Sequence, residues 1–424
     1  MSFLLRLIAG NRFKIEADNP TDRSNFRFLY IEIAFAAVLG GIVTFHSAFV
    51  VRLGGTKELV ALLTSVPALV SAIFSIPSAR FLQSRADKRS WIFRSLLITR
   101  IGTGLIALLP LIFPGQAQYW LVALVILLSL PTILFTNGFQ ALLGEIIPER
   151  SRAVVFSRRQ IIWAFGIVLV SAVSGVWLDN VPFPANYQLM YAFGFIVSLG
   201  SQYYLNKLVI PESHRLPTRM HRAIQKADLP RPELNRNIRK MLLNTGIYHF
   251  GLTLPAALFA PYYIDILNAS DAWIGINSAA GFGGMVLGNI LWARVLRRQS
   301  YTNVLRIASL LTWVFPIGVA LFPDLFMIML LNFIVNLAHP GVELGTLNVM
   351  MKLGAGEQSA VYLSWYNMVL NGALFISPLV GTWVADASSI PLVMLLSGVI
   401  RIVGGLLFNF NRVEEPSRET GAVR

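Results

Sequence analysis

Long apolar stretches alternate with short charged ones over most of the 424 residues. A hydrocarbon core of about 30 Å requires roughly 20 apolar residues in a helix. Measured against that length, the pattern predicts twelve spans, at 28–51, 59–80, 91–112, 119–144, 160–178, 187–208, 241–265, 272–293, 304–322, 325–347, 360–385 and 390–410. The fourth is the cleanest, with no charge from Tyr119 to Gly144. The ninth is the weakest, because Arg306 leaves only a short apolar run before Pro323.

Composition agrees with this pattern. Hydrophobic residues make up 55% of the chain and charged residues 13%, with a mean hydropathy of +0.63. A soluble domain carries about a quarter charged residues. No cysteine is present, which excludes disulfides, thiol catalysis and cysteine-ligated metal. The run Phe3 to Ala9 is too short for a cleavable signal peptide, and no small-residue cleavage site follows it.

The net charge of +14 would fit nucleic acid if it were spread over a soluble surface. Instead, the bases crowd into alternate loops. They occupy the N-terminal arm (Arg6, Arg12, Lys14, Arg23, Arg27), the 2–3 loop (Arg80, Arg85, Lys88, Arg89) and the 4–5 loop (Arg150, Arg152, Arg158, Arg159). They continue through residues 211–240, the 8–9 loop (Arg294, Arg297, Arg298) and the tail (Arg412, Arg418, Arg424). The opposite loops hold Arg52 and Lys57 beside Glu58, Asp179, Asp271, Asp324 and Asp386. Twelve spans put every basic loop on one side, so both termini and the central linker are expected in the cytoplasm. A multi-pass protein of the plasma membrane is expected, with the bilayer and not nucleic acid as its surroundings.

Two short segments recur just over 200 residues apart. Ala79-Arg80-Phe81-Leu82 matches Ala293-Arg294-Val295-Leu296, and Glu149 to Ser157 resembles Glu357 to Ser364 with one residue deleted. Both fall at equivalent loops of a six-plus-six plan, which points to a parallel duplication. The expected organisation is an N-terminal arm (1–27), a six-helix bundle (28–210), a basic linker (211–240), a second bundle (241–410) and a tail (411–424).

With this plan, the basic linker and the 2–3 loop Arg80-Phe81-Leu82-Gln83-Ser84-Arg85-Ala86-Asp87-Lys88-Arg89, the chain resembles the major facilitator superfamily. The loop looks like a degenerate form of that family's Gly-x-x-x-Asp-Arg-x-Gly-Arg-Arg signature, keeping the acid and bases but not the glycines. The motifs of proton-driven drug exporters are absent: span 4 has no arginine and span 5 no Gly-Pro pair. The resemblance implies an all-α fold of two six-helix bundles, a central cavity lined by spans 1, 4, 7 and 10, and a gating role for Arg80, Asp87, Arg89 and Arg294.

Polar residues inside the spans are the candidates for chemistry, because each ionisable group at membrane depth costs several kcal/mol unless paired or hydrated. On span 10, Asn332, Asn336, His339 and Glu343 share one helical face beside Pro340-Gly341. That stripe faces protein or a cavity rather than lipid. Span 1 carries Glu32 and His46, within about 40° of each other and roughly 21 Å apart along an ideal helix. An interfacial Glu32 beside Arg27 is the alternative. Asn137 and Gln140 share a face of span 4, Thr245, His249 and Thr253 a face of span 7, and Asn367 and Asn371 pair on span 11. A helix–helix hydrogen bond worth about 1 kcal/mol is the alternative role for each amide. Arg100 and Arg401 lie on peripheral spans, where structural or snorkelling roles are expected.

No Gly-x-x-x-x-Gly-Lys-Ser/Thr loop occurs, which argues against ATP hydrolysis. Gly281-Phe282-Gly283-Gly284 lies inside span 8, where small residues allow close packing. His339 and Glu343 have the i,i+4 spacing of a zinc helix but lack a third ligand, so neither metal nor cofactor is expected. The function expected is secondary transport of a polar or amphipathic small molecule by alternating access, with proton coupling, by a monomeric, non-enzymatic protein. The alternatives are a receptor or scaffold on the same fold, or a lipid-modifying enzyme with only Glu145, Glu149 and scattered histidines to work with.

Overall fold

The computed structural model describes residues 19–85, 87–209, 236–296, 298–353 and 359–410. The arm bases Arg6, Arg12 and Lys14, most of the linker, the tail bases, Arg297 and the Glu357-Gln358 end of the second repeat lie outside the described residues.

Among the described residues the architecture is entirely helical, with twelve segments in the expected order. They are α1 (Pro20–Val43, continued by His46–Arg52), α2 (Lys57–Gln83), α3 (Lys88–Leu105, continued to Ile112), α4 (Ala117–Ile146), α5 (Glu149–Asn180) and α6 (Ala185–Asn206). The second set is α7 (Arg236–Thr253), α8 (Asp271–Val295), α9 (Tyr301–Ser309 and Val314–Leu321), α10 (Leu325–Leu353), α11 (Ser359–Ala387) and α12 (Ile390–Phe410). Ten are apolar and long enough to cross a membrane by length and composition. The other two are α6, diluted by Asn186, Gln188, Ser198, Ser201 and Gln202, and α7, which opens on Arg236, Arg239 and Lys240.

Local chemistry explains where these helices start and bend. Asn19 accepts the Asp22 amide at 2.8 Å and Pro20 occupies the first turn, a strong N-terminal signal for α1. Asp87 does the same for α3, accepting the Ser90 amide at 3.0 Å. Prolines inside α2 (Pro67, Pro77), α4 (Pro131), α10 (Pro340) and α11 (Pro378) each remove a backbone donor, which bends a helix without ending it. α7 gives way after Thr253, and a π-helical turn at Tyr262–Ile266 follows.

The largest departure from expectation is α5, which starts at Glu149 rather than near residue 160. Hydropathy stops at Arg150, Arg152, Arg158 and Arg159, but backbone hydrogen bonding does not. The helix therefore continues through its charged turns, and Arg159 is a helix residue rather than a loop residue.

Residues group by packing into two compact units: Met1–Ala227 with Ala260–Gly283, and Asp228–Phe259 with Gly284–Arg424. In the first, α1 packs on α5 and α6, α4 on α2 and α3, and α3 on α6. In the second, α7 packs on α11 and α12, α10 on α9, and α9 on α12. Four of these five pairings recur six helices later among the described residues, which is the structural form of the duplication read from the loops. The expected boundary at the linker differs for residues 260–283, which pack with the first unit. Close approach at Gly175 and Gly275 explains this: a Cβ built on Gly275 would lie 2.3 Å from the Ser171 carbonyl oxygen. Many large apolar side chains, including Leu111, Phe165, Phe193, Phe326 and Trp383, point outward, as a lipid-facing surface requires.

Candidate functional site

In the first unit, α1, α3, α5 and α6 together hold a buried ionic cluster. Glu32 is 3% exposed and accepts from Arg159 Nη1 at 2.8 Å and from Ser201 Oγ at 2.9 Å. The same Arg159 nitrogen donates to the Leu29 carbonyl at 2.7 Å, where Glu32's own turn presents it. Arg100, 4% exposed, donates to Ser201 Oγ at 2.7 Å. Two guanidinium groups thus converge on one carboxylate, Arg159 directly and Arg100 through the Ser201 hydroxyl. A buried pair of this kind survives desolvation only when further hydrogen bonds satisfy both partners. Glu32 is therefore neither interfacial nor paired with Arg27; its partner lies 127 residues away.

At the other end of α1, Thr44 and Phe45 interrupt the helix, and His46 begins the short continuation. His46 Nδ1 lies 3.2 Å from Tyr191 Oη and 2.9 Å from the Val43 carbonyl, with its ring edge-on to Tyr191. Beyond it, Arg52 Nη2 donates to the Ala269 carbonyl at 2.8 Å, and its Nε lies 3.4 Å from Asp271 Oδ1. Tyr187 donates to that oxygen at 2.8 Å, and Asp179 accepts the Asp271 amide at 2.8 Å. Glu32 and His46 thus belong to separate clusters.

The second unit places His339 within electrostatic reach of His249, Glu343 and Arg401. His339 Nδ1 lies 3.6 Å from Glu343 Oε1, and the Glu343 side chain is 56% exposed. His249 is buried and lies 2.9 Å from the Thr245 carbonyl. Arg401, 2% exposed, donates to the carbonyls of Thr312 (2.9 Å), Leu252 (3.1 Å) and Gly251 (3.5 Å). Those carbonyls become available because α7 ends and α9 breaks beside α12. Arg401 is thus a buried structural cation rather than a snorkelling one. Tyr248 and Tyr366 complete the surroundings of Glu343.

The amides divide differently. Asn336 donates back along α10 to the Asn332 carbonyl (2.8 Å) and Oδ1 (2.9 Å), and Asn371 donates to the Asn367 carbonyl at 2.8 Å. Asn137 braces α4 against α2, donating to Ser78 Oγ at 2.8 Å and to the Ser75 carbonyl at 3.1 Å. Gln140 is exposed, with no side-chain partner among the described residues. In the 2–3 loop, Arg89 donates to the Asn206 carbonyl at 2.7 Å, and Arg85 lies over Phe81 and Trp91. Arg80 and Arg294 are exposed helix-end cations. Among the described residues, no three His, Asp or Glu side chains gather as a metal site would require. Sequence reasoning missed Arg159, Ser201 and Asp271 as cluster members. The available signal was an uncompensated Glu32 in an apolar helix, which had to find a cation somewhere.

These features define a polytopic helical membrane protein built from a duplicated six-helix unit with ionic groups inside it. The model of the Major Facilitator Superfamily matches residues 28–238 and 241–424, and the chain belongs to this family of membrane transporters. No curated protein matches it. Among solved structures, it is similar to the nucleoside transporter NupG, with a TM-score of 0.70 at 13% identity over 91% of this chain and 98% of that one. A bacterial homolog of the human lysosomal transporter Spinster, in an occupied inward-facing conformation, gives 0.68 at 14% over 95% and 100%. A D-xylose–proton symporter gives 0.67 at 14% over 92% and 97%. At these identities the likeness is one of fold.

Proposed function

We propose that this member of the family is a secondary transporter moving a polar or amphipathic small molecule by alternating access, with Glu343 carrying the coupled proton. The observation behind this reading is the open carboxylate of Glu343, 3.6 Å from His339 on a membrane helix. An acid on a membrane helix is costly unless paired or hydrated, and a hydrated path for solute or ion supplies that water. The neighbouring imidazole is a group to which a proton can pass. Asn332, Asn336, His339 and His249 would line the same path, and the exposed Gln140 and Asn367, with the half-buried Asn371, are further candidates for solute contact. Glu32 and His46, each held by neighbours, are the weaker candidates. Two of the transporters that share the fold are named for polar solutes, a nucleoside in one case and D-xylose with a proton in the other.

The decisive experiment reconstitutes the protein in liposomes and screens labelled nucleosides, sugars and amphiphiles for counterflow. With any solute that exchanges, Glu343→Gln abolishes pH-driven uptake and retains exchange, because the amide mimics the protonated acid. Unchanged pH dependence in Glu343→Gln removes the proton role, and absence of counterflow for every solute favours a receptor. The charge pattern supports cytoplasmic termini in a plasma membrane. A cysteine at Asn180 should then react with impermeant reagents in intact cells and one at Ser213 should not.

A further inference from the structure

The second unit has a groove of about 970 Å³ on the side of α7. Its walls come from α7 (Leu242, Leu243, Gly246, Ile247, Phe250), α11 (Trp365, Val369) and α12 (Ile400). All of these are apolar, and Leu243 and Trp365 are exposed. At one end the lining changes abruptly to Arg236, Arg239 and Lys240, which share a face of α7 with the apolar residues above them. None of the three has an ion-pair partner among the described residues. A volume of this size is at the upper end of what small-molecule sites occupy, about 300–1,000 Å³.

This polarity gradient matches one kind of molecule. From Arg236 to Phe250 an ideal helix rises about 21 Å, and the apolar part from Leu242 rises about 12 Å. One leaflet of hydrocarbon is about 15 Å deep, half of a 30 Å core. The cations therefore stand at headgroup level when the apolar lining stands at acyl-chain level. Trp365 lies near the start of α11, at the level where indoles anchor to the interface. The chain segment preceding Arg236 is itself basic in balance, with Arg215, Arg219, Arg222, Lys226 and Arg231 against Glu212, Asp228 and Glu233.

We infer that this groove binds an anionic phospholipid of the leaflet on the linker side. The phosphate sits among Arg236, Arg239 and Lys240, and an acyl chain lies along Gly246 and Phe250 between α7 and α11. The inference does not depend on the transported solute or on proton coupling.

The test uses the full chain in phosphatidylcholine nanodiscs containing a minor fraction of phosphatidylglycerol brominated on its acyl chains. Bromine quenches nearby indoles, and the Trp365 contribution is the difference between the native protein and Trp365→Phe. We expect brominated phosphatidylglycerol to quench this contribution at a fraction where brominated phosphatidylcholine does not. Combined Arg236→Gln, Arg239→Gln and Lys240→Gln should weaken the apparent affinity by about fivefold per cation removed, the factor equivalent to about 1 kcal/mol per basic residue beside anionic lipid. Gly246→Leu keeps the charges and fills the groove, where a Cβ meets only Val369 Cγ1 at 3.2 Å, so it should reduce quenching. Equal quenching by both lipids in the native protein would identify ordinary annular lipid and overturn the inference. So would a triple variant that keeps its preference for phosphatidylglycerol. Displacement by millimolar inorganic phosphate would instead mark a site for free anions, which also overturns it.

Discussion

In the first unit Arg159 and Arg100 converge on Glu32, whereas in the second Arg401 spends its hydrogen bonds on backbone carbonyls and the nearby carboxylate, Glu343, remains open. Both units bury guanidinium groups in apolar surroundings. They neutralise the cost in different ways. A carboxylate that is 3% exposed and holds two donors is committed to its partners. One whose side chain is 56% exposed beside a single imidazole keeps the capacity to bind something else. Burial and partner count, rather than the presence of an acid in a membrane helix, separate a structural ion pair from a site.

The sharpest way to break this comparison is to strand a charge. Arg159→Met leaves Glu32 buried without its main partner and should destabilise the protein by about 3–5 kcal/mol, whereas Arg159→Met with Glu32→Leu recovers much of that loss. Thermal unfolding monitored by size exclusion measures both. Equal losses in the single and double variants would mean that Glu32 is not the reason for Arg159. The same measurement on Glu343→Leu should show little change, because an exposed acid has no buried partner to leave unpaired; its effect belongs in transport. A large fall in melting temperature there would make the α10 stripe a packing feature.

Two smaller effects extend the comparison to partly exposed groups. Arg52, whose side chain is 30% exposed, should couple to the buried Asp271 by about 1 kcal/mol in a double-mutant cycle, near the top of the range for surface pairs, and part of that coupling should be lost in high salt. Tyr187, which also donates to Asp271, should couple without salt dependence. In the 2–3 loop, Asp87→Ala removes a helix cap and should cost about 1 kcal/mol, whereas Asp87→Asn keeps the cap. Any transport defect of Asp87→Asn then reports on charge, and hence on the gating role proposed for Asp87 with Arg80, Arg89 and Arg294. Normal transport in both variants would leave the loop a helix start and nothing more.

The twelve helices, their order and the duplication were legible in the sequence, because each depends on local quantities: apolar run length, proline and cap residues, and loop charge. Span boundaries failed where two local signals disagree. At Glu149 to Arg159 the charges mark the membrane surface while the backbone stays helical, so the hydropathic span is shorter than α5. The polar positions were legible too, since Glu32, His339 and Glu343 stand out against apolar neighbours. Their partners were not. Whether Glu32 meets Arg27, five residues away, or Arg159 on α5 depends on helix rotation and on which helices are neighbours, and neither is a property of a single segment. The pairing of α1 with α5 and α6, and of α7 with α11 and α12, decided that Glu32 is sealed between guanidinium groups, that Arg401 finds carbonyls freed at helix breaks, and that Glu343 stays open. Sequence determined which residues cannot face lipid. Tertiary packing decided what each of them faces instead, because desolvation makes a partner necessary without saying where along the chain it lies.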